Sequence, residues 1–172
     1  VVGLGKIGRE VIKRAASFDM EILGYDPYVN QSQFEEKDVK VVSIDDLTKN
    51  SDYITLHVPI NDSTRDLFNL KRMKMMKSSS RIINVARGGI INEQDLAQVL
   101  NNEIIAGAAI DVFVSEPLDK KSPLISAKNI LLTPHLGAST FEAKESVSNS
   151  ICRQIVDYFK EDKLSNPLNM PI

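Results

Sequence analysis

The feature that most constrains the fold is a glycine triplet at the start of the chain, Val1-Val2-Gly3-Leu4-Gly5-Lys6-Ile7-Gly8. Glycines spaced G-x-G-x-x-G after β-branched residues are typical of a strand that turns tightly into a helix. The first glycine permits the turn, the second lets backbone approach a phosphate, and the third lets the helix pack on the strand. The pattern therefore predicts a pyrophosphate-binding turn at Gly3, Gly5 and Gly8.

An acidic residue, Asp26, ends the next strand-like segment, Ile22-Leu23-Gly24-Tyr25-Asp26. Its spacing from the glycines is close to that required for a carboxylate that binds the ribose hydroxyls of a dinucleotide. The alternative is that Asp26 only caps the turn before Pro27. Because the glycines and Asp26 occur together, we expect an NAD site.

Strand-like and helix-like segments alternate along the chain. Strands are predicted at residues 1–2, 21–25, 39–42, 53–58, 81–86, 104–112 and 129–133. Helix N-caps are predicted at Ser43 with Asp46, at Asn92, and at Ser139 with Glu142, where the long C-terminal helix should begin. The alternation predicts an α/β fold, a Rossmann-like doubly wound parallel sheet of about seven strands with helices on both faces.

Composition is that of an ordinary globular domain, with 42% apolar and 26% charged residues among 172, so we expect one domain over residues 1–172. A net charge of −2 and the lack of a basic run interleaved with aromatics argue against nucleic-acid binding, and the apolar runs are too short to cross a membrane. The basic stretch 71–77 should be a solvated helix face with methionines inward, and Cys152 should pack as a small apolar residue. A cytoplasmic location is the default expectation, because a single cysteine fits a reducing compartment.

The beginning of the chain suggests that it belongs to a longer polypeptide. Only two residues precede Gly3, whereas a buried strand usually has about five, and there is no initiator Met. The segment 166–171, Asn-Pro-Leu-Asn-Met-Pro, is interpreted as an exit toward a further part of the protein.

Titratable residues follow several of the predicted strands, at the sheet edge where ligands bind in such folds. Arg87 follows the fifth strand, Asp111 and then Glu116 the sixth, and His135 the seventh. An arginine fork suits a carboxylate, a histidine exchanges a proton near neutral pH, and a neighbouring carboxylate favours imidazolium. These groups suit oxidation of a 2-hydroxy acid or reduction of a 2-oxo acid with NAD. His57, a lone histidine at a strand end, is interpreted as a packed residue.

At these positions the chain resembles the D-isomer-specific 2-hydroxyacid dehydrogenases, and above all their phosphoglycerate branch. The resemblance covers the whole chain and rests on five motifs: Gly3-Leu4-Gly5-Lys6-Ile7-Gly8, Tyr25-Asp26-Pro27-Tyr28, Asn84-Val85-Ala86-Arg87-Gly88-Gly89-Ile90-Ile91, residues 107–117, and residues 132–139. The terminal Asn-Pro-Leu-Asn-Met-Pro segment is similar to the phosphoglycerate branch. Glu116 argues against the formate branch, which has Gln there.

The resemblance implies a role for each candidate residue. Arg87 would bind the substrate carboxylate, His135 would be the acid/base, Glu116 its partner, and Asp111 would lie near the nicotinamide carboxamide. The remaining cofactor contacts would come from Lys6, Ile7, Val58, Pro59, Val85, Ala86, Gly137 and Ala138, and Arg87 and His135 would contact the cofactor as well. No metal is expected.

The same resemblance implies that a smaller substrate-binding lobe lies outside this chain, which would then hold NAD without catalysing alone, and that a homodimer forms through this domain. Two alternatives stay open. One is a hydroxypyruvate or glyoxylate reductase, and the other is an NAD-sensing corepressor of the C-terminal-binding-protein type, which shares the fold and the Arg-Glu-His set.

Overall fold

The computed structural model describes residues 1–29 and 39–165. They fall into two compact units, one formed by Val1–Pro134 and one that begins at His135. The predicted exit segment 166–171 lies outside the described residues.

The first unit alternates strands and helices along the chain. Its helices are α1 (Lys6–Ala16), α2 (Ile44–Asn50), α3 (Leu70–Met73), α4 (Glu93–Asn101) and a 3-10 helix at Pro123–Ser126. Its strands are β1 (Ile22–Gly24), β2 (Val39–Val41), β3 (Tyr53–Leu56), β4 (Arg81–Asn84), β5 (Gly107–Ile110) and β6 (Ile130–Leu132).

All strand pairs are parallel, and Val2 links the two groups of paired strands into one sheet. β1 pairs with β2, and β3, β4, β5 and β6 form a second sheet in that order. Val2 makes parallel bridges to Tyr25 after β1 and to Leu56 in β3, so the segment before the glycines occupies the position between the two sheets. The order β2-β1-Val2-β3-β4-β5-β6 agrees with the predicted doubly wound sheet, with six strands and one bridging residue described.

Helices of the first unit pack on both faces of this sheet but cover one of them only in part. Ile22 and Val39 pack with Leu4 and Ile12 of the α1 region, whereas Leu23, which points to the opposite face, packs against the larger core. The larger core holds side chains of α2, α3 and α4 on strand residues such as Ile54, Ile82 and Ile110. On the face opposite the larger core, β3–β6 are more open. Tyr53 is 51% and Leu131 63% exposed there, beside a groove of about 510 Å³.

The capping residues of α2 and α4 act as predicted. Ser43 Oγ accepts the Asp46 amide at 3.1 Å and donates to the Asp46 carboxylate at 2.6 Å. Asn92 Oδ1 accepts the Asp95 amide at 3.0 Å. Met73 and Met76 are buried in the larger core, as predicted for the methionines of the stretch 71–77, but Met75 is half-buried and α3 ends at Met73, so only part of the stretch is helical.

The second unit contains α5 (Phe141–Glu161). The predicted N-cap at Ser139 is wrong by one residue: Thr140 Oγ1 accepts the Ala143 amide at 3.1 Å, while the Ser139 amide donates to Leu136 O in the preceding turn. Cys152 is exposed, so the prediction that it packs is also wrong. None of the residues of α5 is buried, including those of its apolar stripe, Val147, Ile151, Ile155, Tyr158 and Phe159.

Of the helices formed by residues 1–29 and 39–165, not one is both long enough and apolar enough to cross a bilayer.

Candidate functional site

The glycine turn has the tight geometry that its sequence predicts. Gly3 has φ +92°, a conformation that L side chains rarely adopt, and a Cβ there would overlap the His57 carbonyl group and lie 2.9 Å from Val58 Cγ1. A Cβ on Gly8 would overlap the Gly3 carbonyl oxygen. The turn therefore lies between β1 and β3, at the edge where these parallel strands end.

The N-terminus of α1 is open to a ligand. Gly5 is the N-cap residue and supplies no side-chain cap, so the first helical amides lack a side-chain acceptor. Gly5, Lys6 and Ile7 are exposed, and Ile7 shows 67% of its surface. Backbone amides at a helix N-terminus bind phosphate, and the first turn of α1 has no acidic side chain that would repel one. The last turn carries Lys13 and Arg14, whose charges complement the negative end of the helix dipole.

Asp26 connects β1 to the glycine turn. Its Oδ2 accepts the Leu4 amide at 2.9 Å, and its Oδ1 accepts the Tyr28 amide at 2.9 Å. The bond to Tyr28 is the turn cap that was considered as an alternative. The bond to Leu4 places the carboxylate beside the glycine turn, where its remaining lone pairs suit ribose hydroxyls. Sequence reasoning did not foresee that Asp26 would also hold the turn.

The loop after β4 carries Arg87 and is held by Asn84. Asn84 is buried, its Oδ1 accepts the Ala86 amide at 3.1 Å, and its Nδ2 donates to the Arg87 carbonyl at 2.9 Å. Arg87 is exposed and its Nη1 donates to the Ala86 carbonyl at 2.6 Å. Among the residues that the structure describes, no carboxylate forms an ion pair with Arg87, which leaves its fork for an external acid.

Asp111 lies directly after β5 and is buried. Its Oδ1 accepts a hydrogen bond from Thr133 Oγ1 at 2.5 Å, and its amide donates to the Asn84 carbonyl at 3.0 Å. Asp111 thus connects the carboxyl ends of β4, β5 and β6. The sequence analysis missed the roles of Asn84, which holds the Arg87 loop, and of Thr133, which binds Asp111. Asn84 stands within one of the motifs, and a polar residue at the end of a buried strand could have pointed to it.

Glu116 lies on an exposed loop that continues from Asp111. Its Oε1 accepts the Phe113 amide at 3.0 Å, and the next amide, of Val114, donates to Glu93 Oε1 at the start of α4 at 2.7 Å. The loop is therefore anchored to α4 as well as to its own carboxylate.

The other predicted contacts of the first unit follow β3 and β4. Val58 is half-buried and Pro59 exposed, while Val85 is 42% exposed beside half-buried Ala86. Partly exposed apolar side chains at the carboxyl ends of parallel strands are typical of a ring-binding surface. His57 hydrogen-bonds Thr55 Oγ1 through Nε2 at 2.9 Å, and burial lowers its pKa below the usual histidine value, which agrees with a packed residue.

His135, Gly137 and Ala138 belong to the second unit, where all three are exposed. His135 has φ +56°, and its carbonyl accepts Ser139 Oγ at 3.4 Å. The first unit thus brings together the glycine turn, Asp26, Arg87, Asp111 and Glu116 at one sheet edge. That His135 joins them stays a prediction.

No group of three or more His, Cys, Asp or Glu side chains within residues 1–29 and 39–165 is placed to hold a metal ion.

A parallel α/β sheet with a glycine turn, an uncapped helix N-terminus and an acidic residue at the end of the next strand defines a Rossmann-type dinucleotide-binding domain. The chain belongs to the D-isomer specific 2-hydroxyacid dehydrogenase family, NAD binding domain, whose model matches residues 1–137. NAD is accordingly its cofactor, and the glycine cradle and bare N-terminus of α1 fit a dinucleotide.

Comparison with individual proteins gives the same family. A D-3-phosphoglycerate dehydrogenase of Methanocaldococcus jannaschii is 42% identical over 99% of this chain and 33% of its own length. The crystal structure of a glyoxylate reductase from Paecilomyes thermophila matches with a TM-score of 0.85 at 30% identity, over 95% of this chain and 49% of that one. The crystal structure of an NAD-dependent formate dehydrogenase from Staphylococcus aureus in complex with NAD matches with a TM-score of 0.84 at 31% identity. The match covers 96% of this chain and 49% of that chain. The chain thus spans between a third and a half of these relatives.

Proposed function

We propose that the full-length protein is an NAD-dependent oxidoreductase that oxidises a D-2-hydroxy acid, and that its substrate is 3-phospho-D-glycerate, which it converts to 3-phosphohydroxypyruvate for serine biosynthesis. The observation that carries the proposal is the Arg87 loop: Asn84 holds it at the same sheet edge as the glycine turn, and its guanidinium has no ion-pair partner among the described residues. The similarity to D-3-phosphoglycerate dehydrogenases supports the choice of substrate.

Each residue has a defined task in this proposal. NAD⁺, when bound, would supply the acceptor for the hydride from C2 of the substrate. Arg87 binds and orients the substrate carboxylate through its planar fork. His135 takes the proton of the C2 hydroxyl at an imidazole nitrogen, and Glu116 stabilises the resulting imidazolium.

The remaining residues bind the cofactor. The amides after Gly5 would hold its pyrophosphate, Asp26 would bind the adenosine ribose, and Asp111 would lie near the nicotinamide carboxamide. Residues 1–172 serve as the NAD-binding domain, and a substrate lobe outside this chain completes the cleft.

A substrate panel tests the proposal. Full-length protein is assayed with NAD⁺ and 3-phospho-D-glycerate, D-glycerate or D-lactate, and with NADH and hydroxypyruvate or glyoxylate. We expect kcat/KM to be highest for the phosphorylated acid and its oxo product. A preference for glyoxylate or hydroxypyruvate would instead favour a reductase, in agreement with the similarity to a glyoxylate reductase. NADH binding without turnover of any of these acids would contradict the proposed activity.

A further inference from the structure

The loops that carry Arg87 and Glu116 meet at Gly88. A Cβ built on Gly88 would overlap the Phe113 carbonyl group and lie 2.6 Å from the Val114 amide nitrogen. These atoms belong to the backbone, which cannot swing aside as the end of a long side chain can. Any side chain at position 88 therefore requires the Phe113–Val114 peptide to move.

That peptide is fixed from its other sides as well. The Phe113 side chain is 7% exposed and packs in the larger core. The Phe113 amide donates to Glu116 Oε1 at 3.0 Å, and the Val114 amide donates to Glu93 Oε1 at 2.7 Å. A shift away from Gly88 would carry Phe113 with it and would disturb at least one of these contacts.

We infer that Gly88 is a positioning residue that ties Arg87 to Glu116 through Phe113. Asn84 holds the Arg87 carbonyl, Gly88 follows Arg87 directly, and Gly88 packs on the carbonyl group of Phe113, whose own amide binds Glu116. The carboxylate-binding group and the partner of the acid/base are thus held in fixed relation before substrate arrives, as preorganised sites require. The roles of Arg87 and Glu116 in this inference rest on the proposed function.

The neighbouring glycine provides a matched control. Gly89 has φ +82°, so Gly89→Ala strains the same loop, but the added Cβ meets nothing closer than Ile60 Cδ1 at 3.6 Å and does not touch the Phe113 peptide. In the full-length enzyme, we expect Gly88→Ala to raise KM for the hydroxy acid and to shift the pH profile of kcat/KM in the same direction as Glu116→Gln. Gly89→Ala should leave the shape and position of that profile unchanged.

A double-mutant cycle separates positioning from general damage. If Gly88 acts through Glu116, the pH profile of Gly88→Ala/Glu116→Gln should match that of Glu116→Gln alone. A wild-type profile in Gly88→Ala, or independent shifts that add in the double variant, would overturn the inference.

Two further measurements keep the inference testable if Gly88→Ala folds poorly or if the enzyme turns over no hydroxy acid. Glu116→Gln keeps an oxygen for the Phe113 amide, whereas Glu116→Ala removes it, so KM should be roughly three- to tenfold higher in Glu116→Ala, the range expected for one lost hydrogen bond. Equal KM values would contradict the coupling. Independently of activity, a crystal structure of Gly88→Ala should show the Phe113 N to Glu116 Oε1 bond broken, and an intact bond would refute the inference whatever the substrate.

Discussion

Asp26 is the residue on which we expect the choice between NADH and NADPH to depend. Its carboxylate stands beside the glycine turn, where the 2′-phosphate of NADPH would meet a like charge, so we expect NADH to bind at least about tenfold more tightly than NADPH. Asp26→Asn removes the charge but keeps an oxygen for the Leu4 or Tyr28 amide. It should weaken NADH binding and narrow the difference between the NADH and NADPH affinities. Because the chain has no Trp, enhancement of NADH fluorescence gives the dissociation constants. Equal wild-type affinities would contradict the assignment.

The proton-transfer residues are tested by kinetics over a pH series. Removing the acid/base in His135→Ala should lower kcat/KM by about 10²–10⁴ with little change in NADH affinity. Glu116→Gln should shift the pH dependence of kcat/KM toward acid, because the imidazolium loses its neighbouring charge. Arg87→Lys should restore only part of the carboxylate binding lost in Arg87→Ala, since a point charge does not reproduce the fork. Near wild-type turnover in His135→Ala would exclude these roles.

His57 makes folding sensitive to mild acid. Because burial lowers its pKa in the folded chain, the unfolded chain binds the proton first as pH falls below about 6.5, and the free energy of unfolding decreases. His57→Gln should therefore lose less stability between pH 7.5 and 5.5 than the wild type. Urea unfolding at both pH values measures the change in the free energy of unfolding. The difference between wild type and His57→Gln at pH 7.5 gives the cost of the lost Thr55 contact. Parallel losses in the two proteins would count against the prediction.

Most of the site could be predicted at the level of single residues, because the glycines, Asp26, Arg87 and Glu116 stand in short motifs whose chemistry is local. What could not be predicted is which residues hold them. The pairing of Asp111 with Thr133 depends on the register of β5 and β6, and the clamp from Asn84 to Arg87 depends on a loop that folds back over its own strand. Neither follows from spacing alone.

At the scale of the element, the strands are shorter than their apolar segments. Residues 104–112 were predicted as one strand, but β5 spans only Gly107–Ile110, because Glu103 is left-handed before it and Asp111 to Phe113 are buried in a loop after it. Hydrophobicity reports burial, not backbone pairing, so the existence of the strands was predictable while their ends were not. The cap of α5 was misplaced for a related reason: Ser139 and Thr140 are both good N-caps, and the turn from Leu136 decides between them.

The conformation of the loop after β4 should depend on the buried side-chain amide of Asn84. Asn84→Ala leaves the Ala86 amide and the Arg87 carbonyl without their partner, which should cost about 1–3 kcal/mol of unfolding free energy and raise KM for the hydroxy acid. The exposed Asn50, whose Nδ2 donates to Asp46 O on the surface of α2, is the matched control, and Asn50→Ala should cost less than about 0.5 kcal/mol. Equal costs in chemical denaturation would show that Asn84 is not a clamp.

At the scale of the whole molecule, cofactor binding and catalysis should separate. The glycine turn, Asp26 and the α1 N-terminus all lie in this chain, whereas its relatives are two to three times as long. We therefore expect the 172-residue chain to bind NADH and to produce no NADH from 3-phospho-D-glycerate and NAD⁺ above a blank. Robust turnover by this chain would refute the need for a further lobe.

The bare N-terminus of α1 also has a thermodynamic consequence. Gly5, its N-cap residue, offers its amides no side-chain acceptor, so a bound pyrophosphate would stabilise the native state without displacing a cap. By mass action, free cofactor at a hundred times its dissociation constant adds about 2.7 kcal/mol to the free energy of unfolding. A change of that size lowers the unfolded fraction about a hundredfold, so we expect the concentration of NAD around the protein to govern how long it survives proteolysis.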